Sequence, residues 1–530
     1  MNKTRHLSMV LTLIWLPAIL ASCLTPKTTK PALDTQAPCF KVSNQQAIRQ
    51  PNILFILTDD MDVELMADMP NLQKLLVQQG VTLDQFFVNV PQCCPSRSTI
   101  LLGQYSQNTG IYRNGGEQGG FKTFFRKGLE TDTIAVGLNL AGYRTVLMGK
   151  YLNGYPSDSK KRTYIPPGWD EWYVPISGNP YSNLQYKLNE NGEIVHYHQE
   201  PEDYLTDVLA AKAADFIRQS AAEKQPFFVY LSTYAPHGPA SPAARHAGMF
   251  LDRSAPRPPS FDEADVSDKP LYIRNQPPLS DGLIRGIDHF YIGRLQMIQS
   301  VDEMIAQLVD TLVDTGTLDN TYIVFTSDNG FHLGQHRLEA GKLAPYEEDI
   351  RVPFVVRGPG LPVGENRSQI TGNVDLAATF AEMGGLEPGE TCDGRSLLPV
   401  LRGDELTKWR DGYLVTYWAG RVSSVEATAQ ADRTLEPTDS VLVNGSEEAD
   451  PKIPAFNALR TDQYVYVEYQ TGEKELYNLA NDPYQLENLA SSADPILLDA
   501  MDDWLQKLTS CKGSGCLTAD QMPRRFPGDP

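Results

Sequence analysis

The sequence predicts an α/β fold: a large, mostly parallel sheet flanked by helices, with a smaller C-terminal α+β domain. Two observations carry that prediction. Up to about residue 405, short apolar β-prone runs alternate with amphipathic helical stretches, the pattern of βαβ units. Beyond it the pattern changes to alternating strands and one closing helix. At 530 residues and 41% hydrophobic content, the chain is long enough to bury a large core in more than one domain.

The first segment reads as a processing signal. Lys3 and Arg5 form a charged start, and residues 9–20 are apolar but too short to span a membrane comfortably. Leu20-Ala21-Ser22-Cys23 resembles a bacterial lipobox, so residues 1–22 are expected to be a lipoprotein signal peptide and Cys23 the lipidated mature N-terminus. Ordinary secretory cleavage nearby is the alternative. Residues 23–50, rich in Thr, Pro, Lys and Gln, read as a tether. No later stretch is long and apolar enough to cross a bilayer, so the expectation is an exported periplasmic or cell-surface protein, held to a membrane only through a lipid on Cys23.

Residues 51–405 then read as the catalytic domain. The run 52–58 is continuous and apolar, suited to a strand buried on both faces, and similar runs recur at 144–148, 227–231, 322–326 and 352–356. Amphipathic stretches lie between them at 72–79 and 295–313. The residues that follow the strands matter most. The first four runs lead into Asp59-Asp60, Gly149-Lys150, Pro236-His237 and Asp328-Asn329. In open α/β sheets ligands bind beyond the carboxyl ends of strands, so four such endings predict one common site. Each pair alone reads equally well as a turn or a helix cap.

Residues 406–530 make the second domain. An aperiodic stretch at 422–450 reads as a surface insertion; 464–469 alternates like an antiparallel strand, with 475–477 as its hairpin partner and 496–508 as a helix.

The net charge of -20, from 66 acidic against 46 basic residues, argues against nucleic acid or other long polyanions as partners. Lys160-Lys161-Arg162, the compact basic run, reads as a solvated loop. Of the seven cysteines, Cys511 and Cys516 are close enough in sequence to close a small loop, and Cys39 could pair with Cys392. Cys93 and Cys94 are left as adjacent thiols, a poor disulfide with each other.

Asp59, Asp60, Asp328 and Asn329 are a hard oxygen set, suited to calcium, magnesium or manganese and not to zinc. Pro95 predicts the first turn of a helix running through Leu102 and stopping at Gly103, with Cys93 just before its N-terminus. Helix N-H groups and the cation of Arg97 make that a seat for an anionic nucleophile or a charged tetrahedral ester.

Cys93-Cys94-Pro95-Ser96-Arg97, followed by Leu102-Gly103-Gln104-Tyr105, resembles the signature of the formylglycine-dependent sulfatases. The adjacent cysteines, Gly149-Lys150-Tyr151-Leu152-Asn153, and the spacing from Asp328-Asn329-Gly330 to Lys342 resemble the N-acetylglucosamine-6-sulfatase branch. The resemblance extends to about residue 490 and implies an alkaline phosphatase-like fold. It further implies that Cys93 is oxidised to Cα-formylglycine by a separate maturation enzyme, with a calcium ion held by Asp59, Asp60, Cys93, Asp328 and Asn329. The aldehyde hydrate would attack sulfur and then shed sulfate by collapsing back to the aldehyde. Arg97, Lys150 and Lys342 would face the sulfuryl oxygens, and His237 the bridging oxygen as acid. One departure stands out: many sulfatases carry a histidine two residues after the lysine, where this chain has Leu152 and then Asn153. By position alone His332 and His336 are candidate pocket-lining residues and His246 a candidate substrate contact, each with an ordinary structural reading beside it.

The reaction so implied is hydrolysis of a small sulfate ester, a sulfated sugar such as N-acetylglucosamine 6-sulfate or an aryl sulfate. The alternatives are a phosphodiester or phosphonate monoester hydrolase with the same nucleophile, and a non-catalytic surface lipoprotein on the same fold.

Overall fold

The computed structural model describes residues 40–42, 50–156, 162–406, 408–419 and 453–523. The segments read as signal peptide and insertion (1–22 and 422–450), Cys23, Cys39, nearly all of the expected tether, Lys160 and Lys161 lie outside the described residues.

Ten strands form the main sheet: β1 (Asn52–Thr58), β2 (Val81–Leu83), β3 (Arg144–Gly149), β4 (Glu171–Gly178), β5 (Tyr186–Glu190), β6 (Glu193–His196), β7 (Phe227–Ser232), β8 (Thr321–Ser327), β9 (Phe354–Arg357) and β10 (Glu365–Arg367). Their order is β10-β2-β9-β8-β1-β7-β3-β4-β5-β6. The centre is parallel, as expected: β8, β1, β7, β3 and β4 run the same way. The margins are not. β9 runs antiparallel to both β8 and β2, and β4, β5 and β6 form a meander, so the sheet is mixed. The strand expected at 352–356 starts two residues later, beyond Pro353, which has no N-H to give a ladder.

The central strands are apolar throughout because both faces are covered. Ile53, Phe55 and Leu57 face a layer that includes helix α1 (Cys93–Leu102) and Phe380; Phe55 meets Tyr230 and Phe380 at ring distances of 4.9 Å each. Leu54 and Ile56 face the other layer, with α2 (Leu205–Glu223) and α3 (Asp281–Asp314). The amphipathic stretch at 295–313 is thus the second half of a longer helix, whose start is set by Ser280 accepting a hydrogen bond from the Leu283 N-H.

The C-terminal sheet is antiparallel, in the order β11 (Gly412–Tyr417), β12 (Phe456–Thr461), β13 (Tyr464–Tyr469), β14 (Lys474–Asn478). The expected β13–β14 hairpin forms, with Tyr466 opposite Leu476. Helix α4 (Pro495–Ser510) buries Met501, Trp504, Leu505 and Leu508 in the same core as this sheet. Cys511 and Cys516 are joined by a disulfide.

Candidate active site

The ends of β1, β3, β7 and β8 lie level. The register sets Ser327 beside Thr58, Leu57 beside Ser232, and Ser232 beside Gly149. Backbone bonds then tie the next residues together: Asp328 N-H to Thr58 O at 3.1 Å, Lys150 N-H to Ser232 O at 2.8 Å, and Asp59 N-H to Ala235 O at 3.2 Å. Gly149 has φ +88°, and a Cβ there would fall 1.8 Å from the Ser232 carbonyl oxygen. Glycine is therefore required for Lys150 to leave the strand where it does.

Helix α1 carries the signature onto this edge. It begins at Cys93 itself, with Gln92 as its cap, one residue earlier than expected; Pro95 still lies in the first turn. The Cys94 N-H donates to Asn114 Oδ1 at 2.9 Å, and the helix stops at Gly103 in the left-handed region, φ 65°. Lys342 arrives separately, just after a two-residue hairpin in which His332 pairs with Gly341.

The side chains converge. Cys93 Sγ lies 3.5 Å from Asp59 Oδ1, 3.9 Å from Asp60 Oδ1 and 3.0 Å from Lys342 Nζ. Lys150 Nζ reaches Asp59 Oδ2 at 2.6 Å, and Lys342 Nζ reaches Asp60 Oδ1 at 2.7 Å. Arg97 Nε donates to Asp328 Oδ2 at 2.7 Å, its Nη1 donates to the Lys150 carbonyl at 3.0 Å, and Asn329 Nδ2 donates to Asp60 Oδ1 at 2.7 Å. His237 Nε2 is 3.4 Å from Asp60 Oδ2. All nine residues predicted from the sequence meet here, and none is more than 3% exposed.

The sulfatase family model matches residues 51–386, and human N-acetylglucosamine-6-sulfatase is 34% identical over 495 residues, 91% of this chain and 88% of that protein. The chain belongs to the sulfatase family. Its enzymatic class is sulfuric ester hydrolase. Two solved structures share the fold. BT4656, solved in complex with its substrate D-glucosamine-2-N,6-O-disulfate, superposes with a TM-score of 0.70 at 22% identity, over 90% of this chain and 100% of that one. A phosphonate monoester hydrolase of Agrobacterium radiobacter superposes with a TM-score of 0.63 at 21% identity, over 87% and 95% of the two chains.

In this sulfatase the cluster is electrostatically polarised. Burial alone would raise the Asp59 carboxyl; Lys150, His237, Arg97 and Lys342 together outweigh it and hold the group below the usual carboxylate range. Asp60 is lowered for the same reason, mainly by His237 and Lys342 working against burial. Asp328, where burial outweighs Arg97, is pushed up to about 6. Burial also raises the Cys93 thiol well above its ordinary value and lowers the His237 imidazole.

The donors fit a hard cation. Asn329 Oδ1 is buried with no hydrogen-bond partner, while its Nδ2 is used twice. Carboxylate oxygens of Asp59 and Asp60, Cys93 Sγ and a His237 ring nitrogen lie within 4.8 Å of one another. An acceptor-only atom left beside two ionised carboxylates is what an oxygen-seeking ion would use.

Other histidines serve elsewhere. His246 packs on α3, with Nε2 3.0 Å from Glu303 and Nδ1 3.3 Å from Ser300. His336 pairs with Glu263 at 2.7 Å and stacks on Tyr346, and His332 holds Asp349 at 2.9 Å.

Outside the signature, supporting residues such as Arg294, Asn373 and Tyr413 carried no sequence signal. Arg294, on α3, donates from Nη2 to the Asp60 carbonyl and to Asp62, each at 2.7 Å, and so braces Asp60, whose φ is +62°. Ser96 donates to the Asp328 carbonyl and accepts from Asn373 Nδ2 at 2.9 Å; Tyr413 of β11 donates to Asn373 Oδ1 at 2.9 Å. The signature serine thus links the strand tip to the C-terminal sheet.

Proposed function

We propose that this sulfatase releases sulfate from a sugar ester of the N-acetylglucosamine 6-sulfate class, with aryl sulfates as surrogate substrates. One observation carries the reading: Cys93 sits in a water-poor cluster with two carboxylates on one side and the lysines 150 and 342 beside it. The human relative, aligned over 91% of the chain, supports the sugar. Cys93 is converted to Cα-formylglycine by a separate maturation enzyme, and the aldehyde hydrate supplies the oxygen nucleophile at sulfur. A calcium ion bound by Asp59, Asp60, residue 93, Asp328 and Asn329 would supply Lewis-acid polarisation of the sulfuryl group.

The chain's own residues do the rest. Lys342 Nζ, 3.0 Å from the residue-93 side chain, places a cation beside the attacking atom, and Lys150 provides a second one across the cluster. Arg97 Nη2 makes no hydrogen bond and lies 3.7 Å from Asp59, so it keeps a donor for a sulfuryl oxygen. His237 Nδ1-H donates to the Gly238 carbonyl at 2.8 Å, which turns Nε2 toward the cluster. Burial makes its imidazolium a stronger acid toward the bridging oxygen as the alcohol leaves, and confines the protonated fraction to the acid side of neutrality. Closure of the cluster keeps water from competing for these charges.

In this reading residues 51–405 are the catalytic domain and 406–530 the smaller α+β domain that braces it. Export rests on the pattern of residues 1–22, with the lipid on Cys23 as the membrane attachment. No helix among the described residues is long and apolar enough to cross a membrane.

The test pairs mass spectrometry of the Cys93 peptide, from a host with the maturation enzyme, with turnover of 6-O-, 2-O- and N-sulfated sugars, aryl sulfates, phosphodiesters and phosphonate monoesters. Formylglycine together with sulfate release is expected. An unmodified thiol in an active enzyme, or turnover of phosphorus esters alone, overturns the reading. Removing calcium with a chelator should lower Tm reversibly, by an amount corresponding to about 2.7 kcal/mol at a hundredfold excess of ion over Kd; an unchanged Tm counts against the ion.

A further inference from the structure

Asn153, the residue after the departure at Leu152, has a side chain for which the chemistry above finds no use. It is 5% exposed, and its Oδ1 is buried with no hydrogen-bond partner. An acceptor left in that state is destabilising, and a native protein tolerates it where water or a ligand completes the bond.

The place where Asn153 lies indicates which ligand. It lines a small, open-mouthed recess together with Lys150, Val174, Pro175, Tyr181 and Tyr234. Lys150 forms the inner end, since its ammonium is 2.6 Å from Asp59. The Tyr181 ring lies 5.1 Å from that ammonium and 4.6 Å from the His237 ring, with Tyr234 edge-on to it at 4.8 Å. A ligand in the recess therefore has one end at the cation cluster, an aromatic face along its flank, apolar Val174 and Pro175 beside it, and one amide within the lining. A pyranose uses all of these: its C-H face packs on an aromatic ring, and a hydroxyl or acetamido N-H donates to the amide oxygen. A plain aryl ring would pack on Tyr181 and leave Asn153 unpartnered.

We propose that Asn153 and Tyr181 are specificity-determining residues that seat the sugar ring of the ester, Asn153 accepting a hydrogen bond from a polar substituent of that ring. The position of the ester group at the Lys150 end rests on the sulfatase reading above.

The experiment measures Asn153→Ala and Tyr181→Leu in the full, matured chain. The readout is the ratio of kcat/KM for N-acetylglucosamine 6-sulfate to that for 4-nitrophenyl sulfate. Each variant should lower the ratio about tenfold, chiefly through KM of the sugar ester, as loss of one hydrogen bond or one stacked face requires. Asn153→Ser, which keeps an acceptor, should recover part of the loss. Equal losses on both esters, or no loss, overturn the proposal. Calorimetric binding of N-acetylglucosamine 6-sulfate to the unmatured chain separates the two readings. Tenfold weaker binding by Asn153→Ala, where the fully matured parent hydrolyses neither sulfate ester, would leave the sugar seat standing and sink the sulfatase mechanism. Equal binding by parent and variant, with aryl sulfate still turned over, would do the reverse.

Discussion

Asp60, at the tip of the main sheet, and Glu475, at the joint with the C-terminal sheet, are both carboxylates with at most 1% exposure, yet their surroundings differ in kind. Glu475 Oε1 accepts from the hydroxyls of Tyr346 at 2.9 Å and Tyr477 at 2.5 Å, and Oε2 accepts from Tyr469 at 2.6 Å. Both oxygens are used, by neutral donors drawn from two parts of the chain. Burial raises this carboxyl, and the three phenols pull it back only part of the way. Around Asp60, full charges crowd together and polar atoms are left over: Asn329 Oδ1 and Arg97 Nη2 are buried and unbonded. A polar network with every atom used fixes one geometry; a network with surplus donors and acceptors is built around something else. The difference separates a joint from a site.

The largest test of that contrast is Cys93→Ala. Sulfate release should fall by at least about four orders of magnitude, because the nucleophile is gone. Tm should fall by no more than it does on calcium removal, since the change deletes one of the five groups that hold the ion and leaves the rest of the cluster in place. A variant that keeps more than a hundredth of the activity breaks the assignment. Lys342→Met comes next. The loss of one preorganised cation beside the reacting atoms predicts a fall of about 10²–10³ in kcat/KM. A fall below tenfold would make Lys342 a structural counterion of Asp60.

Glu475→Leu inverts the pattern. Three buried hydroxyls lose their acceptor, which predicts destabilisation of about 3 kcal/mol or more in urea unfolding. The folded enzyme should retain its kcat/KM within about twofold. A selective loss of turnover without loss of stability would move Glu475 from the joint to the site.

How much of this was legible in the sequence follows from the same contrast. Asp59, Asp60, Lys150, His237 and Asp328 could be placed because each follows a run of apolar residues, and a strand buried on both faces has few other spellings. Cys93 and Arg97 could be placed by their compact signature. The antiparallel margins could not: β4 contains Pro175 and mixed polarity, and β2 and β10 are three residues each, too short for a period to show. Arg294 was equally silent, because it reaches Asp60 across 234 positions of sequence from the middle of a helix that reads as ordinary. Asn153 stands in the sequence only as the end of the Gly149–Asn153 resemblance and Tyr181 carries no signal there; their meaning lies in an empty bond and a ring distance. The motif residues carry the chemistry, while the residues that aim them are defined by tertiary contacts alone.

Glu130 tests the rule from the other side, with the smallest expected effect. It too has a left-over atom: Oε1 is buried without a partner, while Oε2 accepts from the Tyr164 hydroxyl at 2.9 Å. Here no cation pairs with it among the described residues, and burial pushes the carboxyl from 4.5 up to about 7. The spare oxygen is therefore completed by a proton. Between about pH 4.5 and 7 the folded chain holds a proton that the unfolded chain has lost, so this residue's contribution falls as pH rises through that window and levels off above it. Glu130→Gln keeps an acceptor for Tyr164 and removes the titration. The variant should match the parent near pH 5 and exceed it at pH 8 by on the order of 2 kcal/mol, read from urea midpoints at the two pH values. An equal gain at both would mean that Glu130 stays ionised in the fold. A left-over acceptor calls for a ligand only where a proton cannot complete it: the Glu130 carboxyl can take one, and the amide oxygens of Asn329 and Asn153 cannot.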